Sequence, residues 1–153
     1  MSRDGPLAVL SYARADTPFV RELAWRLRGR GVRTWIDVED VPVGETWQAA
    51  IHAAMIRADA FVPCISALSL RSAWAKLELE SALALGMRVA PVVLDAAMRL
   101  PASLAGLPRI DAAGVSAERV AARLAWQFRE AKPENGTASR ARTGDPWFHK
   151  PVL

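Results

Sequence analysis

Short apolar runs alternate with segments of helical spacing in the first part of the chain. Residues 7–10 form a continuous apolar run, which is typical of a strand buried on both faces of a sheet. Apolar residues then recur every three or four positions after Thr17 and Pro18, which predicts a helix with Thr17 as its N-cap. The β-branched and aromatic residues at 32–36 predict a second strand. The stretch at residues 37–44, which is acidic and contains a proline and a glycine, predicts a long loop after it.

The middle of the chain repeats this alternation. Helical spacing predicts a second helix that begins near Trp47, and the apolar run at residues 60–65 predicts a third strand. After a loop, Ser72 is expected to cap a third helix that ends near Gly86. Pro63 weighs against the third strand because proline has no N–H for a central ladder, but the apolar run still favours a strand.

The remaining elements complete the pattern. Residues 89–94 predict a fourth strand in spite of Pro91, and residues 108–110 predict a short fifth strand. The last predicted helix carries apolar residues at helical spacing up to Phe128 and is ended by Pro133. Strands that alternate with helices in this way form parallel βαβ units, so the sequence predicts an α/β domain whose open sheet is covered by helices on both faces.

The patterned part of the chain has the length of one domain. The 153 residues are 52% hydrophobic, which is enough to form a core. We predict one domain over residues 1–131 and a disordered, turn-rich tail over residues 132–153. The sequence has no apolar run long enough to cross a bilayer, and no apolar block of signal-peptide type follows its start, so a cytoplasmic protein is expected.

The net charge of +4 raises the question of a nucleic-acid partner. The positive excess is spread thinly along the chain. The clustered arginines surround the end of the first predicted helix, where the helix dipole favours cations, and they are Arg26, Arg28, Arg30 and Arg33. Neither nucleic acid nor a membrane is therefore expected as a partner.

The motifs of common catalytic and metal sites are absent from the sequence. There is no phosphate-binding or dinucleotide-binding glycine motif and no Cys or His spacing that fits a metal, so we expect no metal ion. His52 and His149 are isolated, which leaves a catalytic triad without its base, and the lone Cys64 fits a small buried hydrophobe. A phosphoacceptor domain needs acidic residues where Ser11 and Ser66 stand, so that class is excluded as well.

The carboxyl ends of the predicted strands meet at one rim of the sheet. Ligands of open α/β sheets bind at that rim, where the strand order reverses. The third predicted helix begins at the same rim, and on it Trp74 and Glu78 are four residues apart and share a face. Glu80 points elsewhere and can pair with Lys76. The loops after the first three strands contribute Ser11, Tyr12, Arg14, Asp37, Val43, Gly44 and Ser66.

Four segments resemble the motifs of Toll/interleukin-1 receptor (TIR) domains, in the order of that family. Residues 10–16, with the sequence LSYARAD, resemble the opening strand motif, and residues 35–47, WIDVEDVPVGETW, resemble the second strand and the BB loop. Residues 65–66, IS, and residues 72–79, SAWAKLEL, resemble the end of the third strand and the W-x-x-x-E helix. The resemblance covers about residues 6–95, and residues 96–131 fit the fold without a signature.

The resemblance implies a flavodoxin-like, three-layer α/β fold with a five-stranded parallel sheet in the order 2-1-3-4-5. For enzymatic members it implies NAD⁺ as the substrate, with no bound cofactor, and a catalytic glutamate at the position of Glu78. It also implies self-association, because a neighbouring subunit often completes the active site against the BB loop, residues 37–44. Substrate contacts are expected from Ser11, Tyr12, Arg14, Asp37, Val43, Gly44, Trp47, Ser66 and Trp74.

Two positions depart from the family pattern. Ala13 and Arg14 stand where NAD⁺-cleaving relatives from animals often carry a basic pair. Thr46 stands where some of them carry an aromatic residue, although Trp47 could supply that surface.

Each candidate residue also has a plainer interpretation. Glu78 fits a surface acid on an amphipathic helix, Trp74 fits core packing, Asp37 fits an Asx-turn and Gly44 fits a turn conformation. Two functions therefore stay open. One is an NAD⁺ nucleosidase, either a glycohydrolase or an ADP-ribosyl cyclase, in TIR-based immune or antiphage defence signalling. The other is a non-catalytic adaptor that acts through TIR–TIR contacts, and the two share one fold.

Overall fold

The computed structural model of the chain describes residues 5–36, 43–44, 46–96 and 98–130. The predicted tail, residues 132–153, and most of the BB loop lie outside the described residues.

The described residues contain six strands, all in parallel pairs, that form one sheet. The strands are β1 (Leu7–Ser11), β2 (Arg33–Trp35), β3 (Ala60–Ile65), β4 (Arg88–Val89), β5 (Val92–Val93) and β6 (Ile110–Asp111). The order is β2-β1-β3-β5-β6, and β4 also pairs with β3. With β4 and β5 taken together as the fourth strand, this is the predicted order 2-1-3-4-5.

The strand count differs from the prediction because the fourth strand is interrupted. The predicted strand at residues 89–94 is divided into β4 and β5, with Pro91 between them. Proline has no N–H to donate, so the ladder cannot run unbroken through this position. Pro63, in contrast, lies within β3 and in register with Ser11 of β1, so the predicted third strand is confirmed.

Five α-helices are present in the described residues: α1 (Thr17–Arg28), α2 (Trp47–Arg57), α3 (Ala67–Arg71), α4 (Ala73–Ala84) and α5 (Ala117–Glu130). The described residues also form two short 3₁₀ turns, Arg14–Asp16 and Ala102–Leu104. None of the helices in this part of the chain combines the length and apolar character that crossing a bilayer requires.

Three local predictions need correction. The N-cap of α1 is Asp16 and not Thr17, because the 3₁₀ turn before the helix already gives Thr17 helical dihedral angles. The predicted loop after β3 contains the short helix α3, which is stabilised by a capping box between Ser66 and Ser69. The last strand begins at Ile110, two residues later than predicted, since its ladder starts with the bond from Ile110 N to Pro91 O at 3.0 Å.

Both faces of the sheet are buried, as the continuous apolar strands predict. Ala8 and Leu10 of β1 belong to the cluster that packs under α1 and α5. Leu7 and Val9 belong to the opposite cluster, under α2 and α4. Because side chains alternate along a strand, Ser11 follows Leu7 and Val9 toward the face covered by α2 and α4.

Candidate functional site

A hydrogen bond between β1 and α4 lies at the rim of the sheet. Ser11 is the last residue of β1, and its Oγ donates to Oε1 of Glu78 on α4. Both residues are buried, with 7% of Ser11 and 6% of Glu78 exposed. Of the charged residues that the structure describes, only Glu78 is buried to this degree.

The position of Glu78 follows from the way that α4 begins and packs. Ser72 caps the helix as predicted, since its side chain accepts from Ala75 N at 3.1 Å. Ala82 and Leu85, four and seven residues after Glu78, are buried in the core under α4. Glu78 thus lies on the stripe of the helix that faces the sheet. The alternative interpretation of Glu78 as an acid on the protein surface is therefore wrong. Glu80 is exposed, as predicted.

Ser66 lies at the carboxyl end of the neighbouring strand β3, with 4% of its surface exposed. Its Oγ donates to Oδ2 of Asp16 at 2.7 Å and accepts from Ser69 N at 3.2 Å. Its own N–H donates to Ser69 Oγ at 2.8 Å, and Asp95 Oδ2 accepts from Ala67 N at 2.7 Å. The hydroxyl of Ser66 is therefore engaged within the protein, where it joins the turn after β1 to the start of α3.

The sequence alone indicates no role for Asp16 or Asp95. Asp16 belongs to the resembling segment LSYARAD, and a carboxylate just before a predicted helix was the available signal. The hydrogen bond of Asp16, however, is with Ser66, which is 50 residues away in the sequence.

We expect the replacement Ser66→Ala to lower the free energy of unfolding by about 2–3 kcal/mol, because it removes a helix cap and leaves the Asp16 carboxylate without this donor. Urea denaturation followed by circular dichroism measures the change. Ser116 is a matched control, since it is exposed and accepts from Arg119 N at 3.2 Å without a carboxylate partner. Ser116→Ala should cost about 1 kcal/mol. An equal loss for both variants would show that the Asp16 contact contributes nothing.

The other predicted site residues are distributed around the rim. Tyr12 is half-buried and packs against the cluster under α1 and α5, on the face opposite to Ser11 and Glu78. Arg14 is exposed in the 3₁₀ turn after β1. Val43 is fully exposed, and it precedes Gly44, whose φ of +88° requires the left-handed region that glycine adopts easily. Gly44 thus has the turn conformation that its plainer interpretation predicts.

Three predicted contacts cannot be placed in the site. Asp37 and the side chains of Trp47 and Trp74 lie outside the described part of the chain. The backbone of Trp47 begins α2, and Thr46 caps this helix by accepting from Ala49 N at 3.2 Å.

The described residues also include one cysteine and one histidine. Cys64 is buried, as predicted, and burial together with the charge of Asp16 raises the pKa of its thiol far above the usual range, which excludes a thiolate nucleophile. His52 is exposed on α2. In the parts of the chain that the structure describes, no three His, Cys, Asp or Glu side chains come close enough to hold a metal ion.

The clustered arginines contact groups of the same chain. At the end of α1, the guanidinium groups of Arg30 and Arg26 lie 2.6 and 3.4 Å from the carboxylate oxygens of Glu118 on α5. The hydrogen bond with Arg30 lowers the pKa of Glu118. Arg28 donates to Thr34 Oγ1 at 2.8 Å, and Arg33 donates to Gly5 O at 2.9 Å. These contacts account for the cluster without an external anion.

The fold and the rim together define a three-layer α/β domain with a buried carboxylate at the carboxyl ends of its parallel strands. A family model described as the TIR domain matches residues 9–125. The chain therefore belongs to the TIR domain family. The resemblance of the four motifs is thereby confirmed.

A solved structure supports the fold. The crystal structure of the TIR domain of the Toll-related receptor TRR-2 from the lower metazoan Hydra magnipapillata is similar to this chain with a TM-score of 0.65. The match covers 82% of this chain and 98% of that one, at 18% sequence identity. At this identity the likeness shows the fold alone. The comparison with curated proteins finds no significant match.

Proposed function

We propose that the chain is an NAD⁺ nucleosidase, a glycohydrolase or ADP-ribosyl cyclase, with Glu78 as its catalytic residue. The observation that carries the proposal is the burial of Glu78 at the sheet rim, in a hydrogen bond with Ser11. Burial of a carboxylate is costly, and such groups cluster at functional sites. The TIR family, which includes enzymes that cleave NAD⁺, supports the same assignment.

The chemistry of NAD⁺ suits a site with one carboxylate. The nicotinamide ring is a pyridinium in the substrate and leaves as a neutral molecule, so no general acid is needed, whereas ordinary glycosides require two carboxylates. Water adds to the anomeric carbon of the ribose, and the products are nicotinamide, ADP-ribose and a proton. In a cyclase, a nucleophile of the substrate takes the place of water.

In this mechanism Glu78 holds ribose hydroxyls and stabilises the positive charge that develops on the ribose in the transition state. Trp74 stacks on the nicotinamide ring, an attraction of roughly 0.5–2 kcal/mol for a cationic ring. Arg14 contacts the adenine or the phosphates, and its exposure is compatible with that role. Tyr12 would contact the same groups from the opposite face of the sheet, with the part of its side chain that is not packed against the core. Asp37, Gly44 and Trp47 complete the walls of the site.

A non-catalytic adaptor is the second candidate function, and the exposure of Val43 favours it. A fully exposed valine in a turn offers apolar area that a partner could cover. TIR domains commonly self-associate, and we propose that this chain does so through the BB loop, residues 37–44. In both candidates it would act in TIR-based defence signalling in the cytoplasm.

Incubation of the purified chain with NAD⁺ tests the proposed function. We expect nicotinamide release per chain to rise with protein concentration, because assembly completes the site. Val43→Asp should prevent self-association, measured by analytical ultracentrifugation, and lower turnover about tenfold or more, since it places a charge in an apolar contact. Leu68→Asp, at a leucine on α3 that is 50% exposed, is the matched control and should change neither.

The same measurements separate the two candidate functions. An adaptor would self-associate, lose this property in Val43→Asp, and leave NAD⁺ intact at every protein concentration. That result would reject the nucleosidase.

A further inference from the structure

The hydroxyl of Ser11 takes no part in a helix cap, unlike those of the other two buried serines of the described residues. Ser66 and Ser69 form the capping box of α3, and Ser66 also bonds to Asp16. Ser11 donates to the Glu78 carboxylate, which is 67 positions away in the sequence and on a different element. No helix cap or turn of the described structure depends on this hydroxyl.

We propose that Ser11 is a positioning residue that fixes the orientation of the Glu78 carboxylate. This inference rests on the proposed function, and it assigns Ser11 a role different from the direct substrate contact expected from the sequence. Ser11 acts through Glu78 and is not itself catalytic.

The location of Ser11 gives it the rigidity that such a role needs. It is the last residue of β1, an inner strand of the sheet, and it is in register with Pro63 of β3, so its Cα is held against the neighbouring strand. A serine side chain has a single carbon–carbon torsion, whereas the glutamate side chain has three. The short, strand-held donor can therefore determine where the longer carboxylate points.

A fixed carboxylate stabilises a developing charge better than a mobile one. A group that is already oriented does not have to reorganise when the positive charge forms on the ribose. Misplacement of a reacting group by about 1 Å can lower a rate about 100-fold. Loss of the Ser11 hydroxyl should therefore act on kcat and leave KM nearly unchanged, because the substrate's own contacts remain.

The test compares Ser11→Thr with Ser11→Val in nicotinamide release. The two side chains have the same shape and both suit a strand, but only threonine keeps the hydroxyl. We expect Ser11→Val to lower kcat about 10-fold to 100-fold with KM changed less than about twofold, and Ser11→Thr to keep kcat within about threefold of the wild type. Ser69→Ala, which removes a buried hydroxyl whose hydrogen bonds are with Ser66 in the capping box of α3, should keep the wild-type kcat.

A double variant adds a second readout. If Ser11 works only through Glu78, the pair Ser11→Val and Glu78→Gln should be no slower than Glu78→Gln alone. Equal kcat for Ser11→Thr and Ser11→Val, or a loss in the double variant that equals the product of the single losses, would overturn the inference.

The outcomes separate the two proposals. An active wild type that is inactivated by Glu78→Gln but unchanged by Ser11→Val rejects the role of Ser11 alone. A wild type that releases no nicotinamide at any concentration rejects the proposed function together with the role of Ser11 in it.

Discussion

Glu78→Gln is expected to lower the rate of nicotinamide release about 10²-fold to 10³-fold or more while the fold is retained. The change removes the negative charge that stabilises the cationic transition state, and one such electrostatic contribution is commonly worth this factor. Glutamine has nearly the same shape, and its amide oxygen can still accept from Ser11 Oγ, so the core under α4 stays filled. Steady-state kinetics with NAD⁺ measures the loss, and circular dichroism checks the fold.

Glu80→Gln is the matched control for this prediction. Glu80 is on the same helix, two residues further on, and its side chain is exposed. The replacement changes the net charge by the same amount without touching the buried carboxylate, so turnover should stay within about twofold of the wild type. Equal losses in the two variants would show that the helix surface, and not the rim carboxylate, determines the activity.

Phe61→Ala is expected to lower the free energy of unfolding by about 3–5 kcal/mol. Phe61 has no exposed surface and is the second residue of β3, with Val9 of β1 and Val89 of β4 as its partners in register. The truncation leaves a cavity in the cluster under α2 and α4. Such a loss is a large part of the ~5–15 kcal/mol that stabilises an ordinary domain. Urea denaturation measures it.

Leu68→Ala serves as the control for the core substitution. Leu68 is 50% exposed on α3, so its truncation should change the free energy of unfolding by less than about 1 kcal/mol. A cost for Phe61→Ala as small as that would mean that β3 is not at the centre of the core.

The strands and helices could be predicted because their patterns are local. The apolar run at residues 60–65 coincides with β3, and the cap at Ser72 begins α4 where the sequence places it. The burial of both faces of β1 follows from a run without polar residues. Because successive side chains of β1 point to opposite faces of the sheet, the position of Ser11 in the strand determines which helices it faces.

The contacts that build the site could not be predicted because they are long-range. The sequence places Ser11 and Glu78 at one rim, but not the bond between the Ser11 hydroxyl and the Glu78 carboxylate. It likewise gives no partner for Asp16, which bonds to Ser66 across the ends of β1 and β3. The helix α3 was missed because its cap pairs two serines instead of the usual Ser and Glu.

Quantification of nicotinamide by NMR, in NAD⁺ incubated with the assembled chain, tests whether Glu78 is the catalytic carboxylate. We expect one nicotinamide for each ADP-ribosyl product from the wild type and from Glu80→Gln, and almost none from Glu78→Gln. Intact NAD⁺ in the presence of the self-associated wild type, or equal nicotinamide from Glu78→Gln and the wild type, would contradict it.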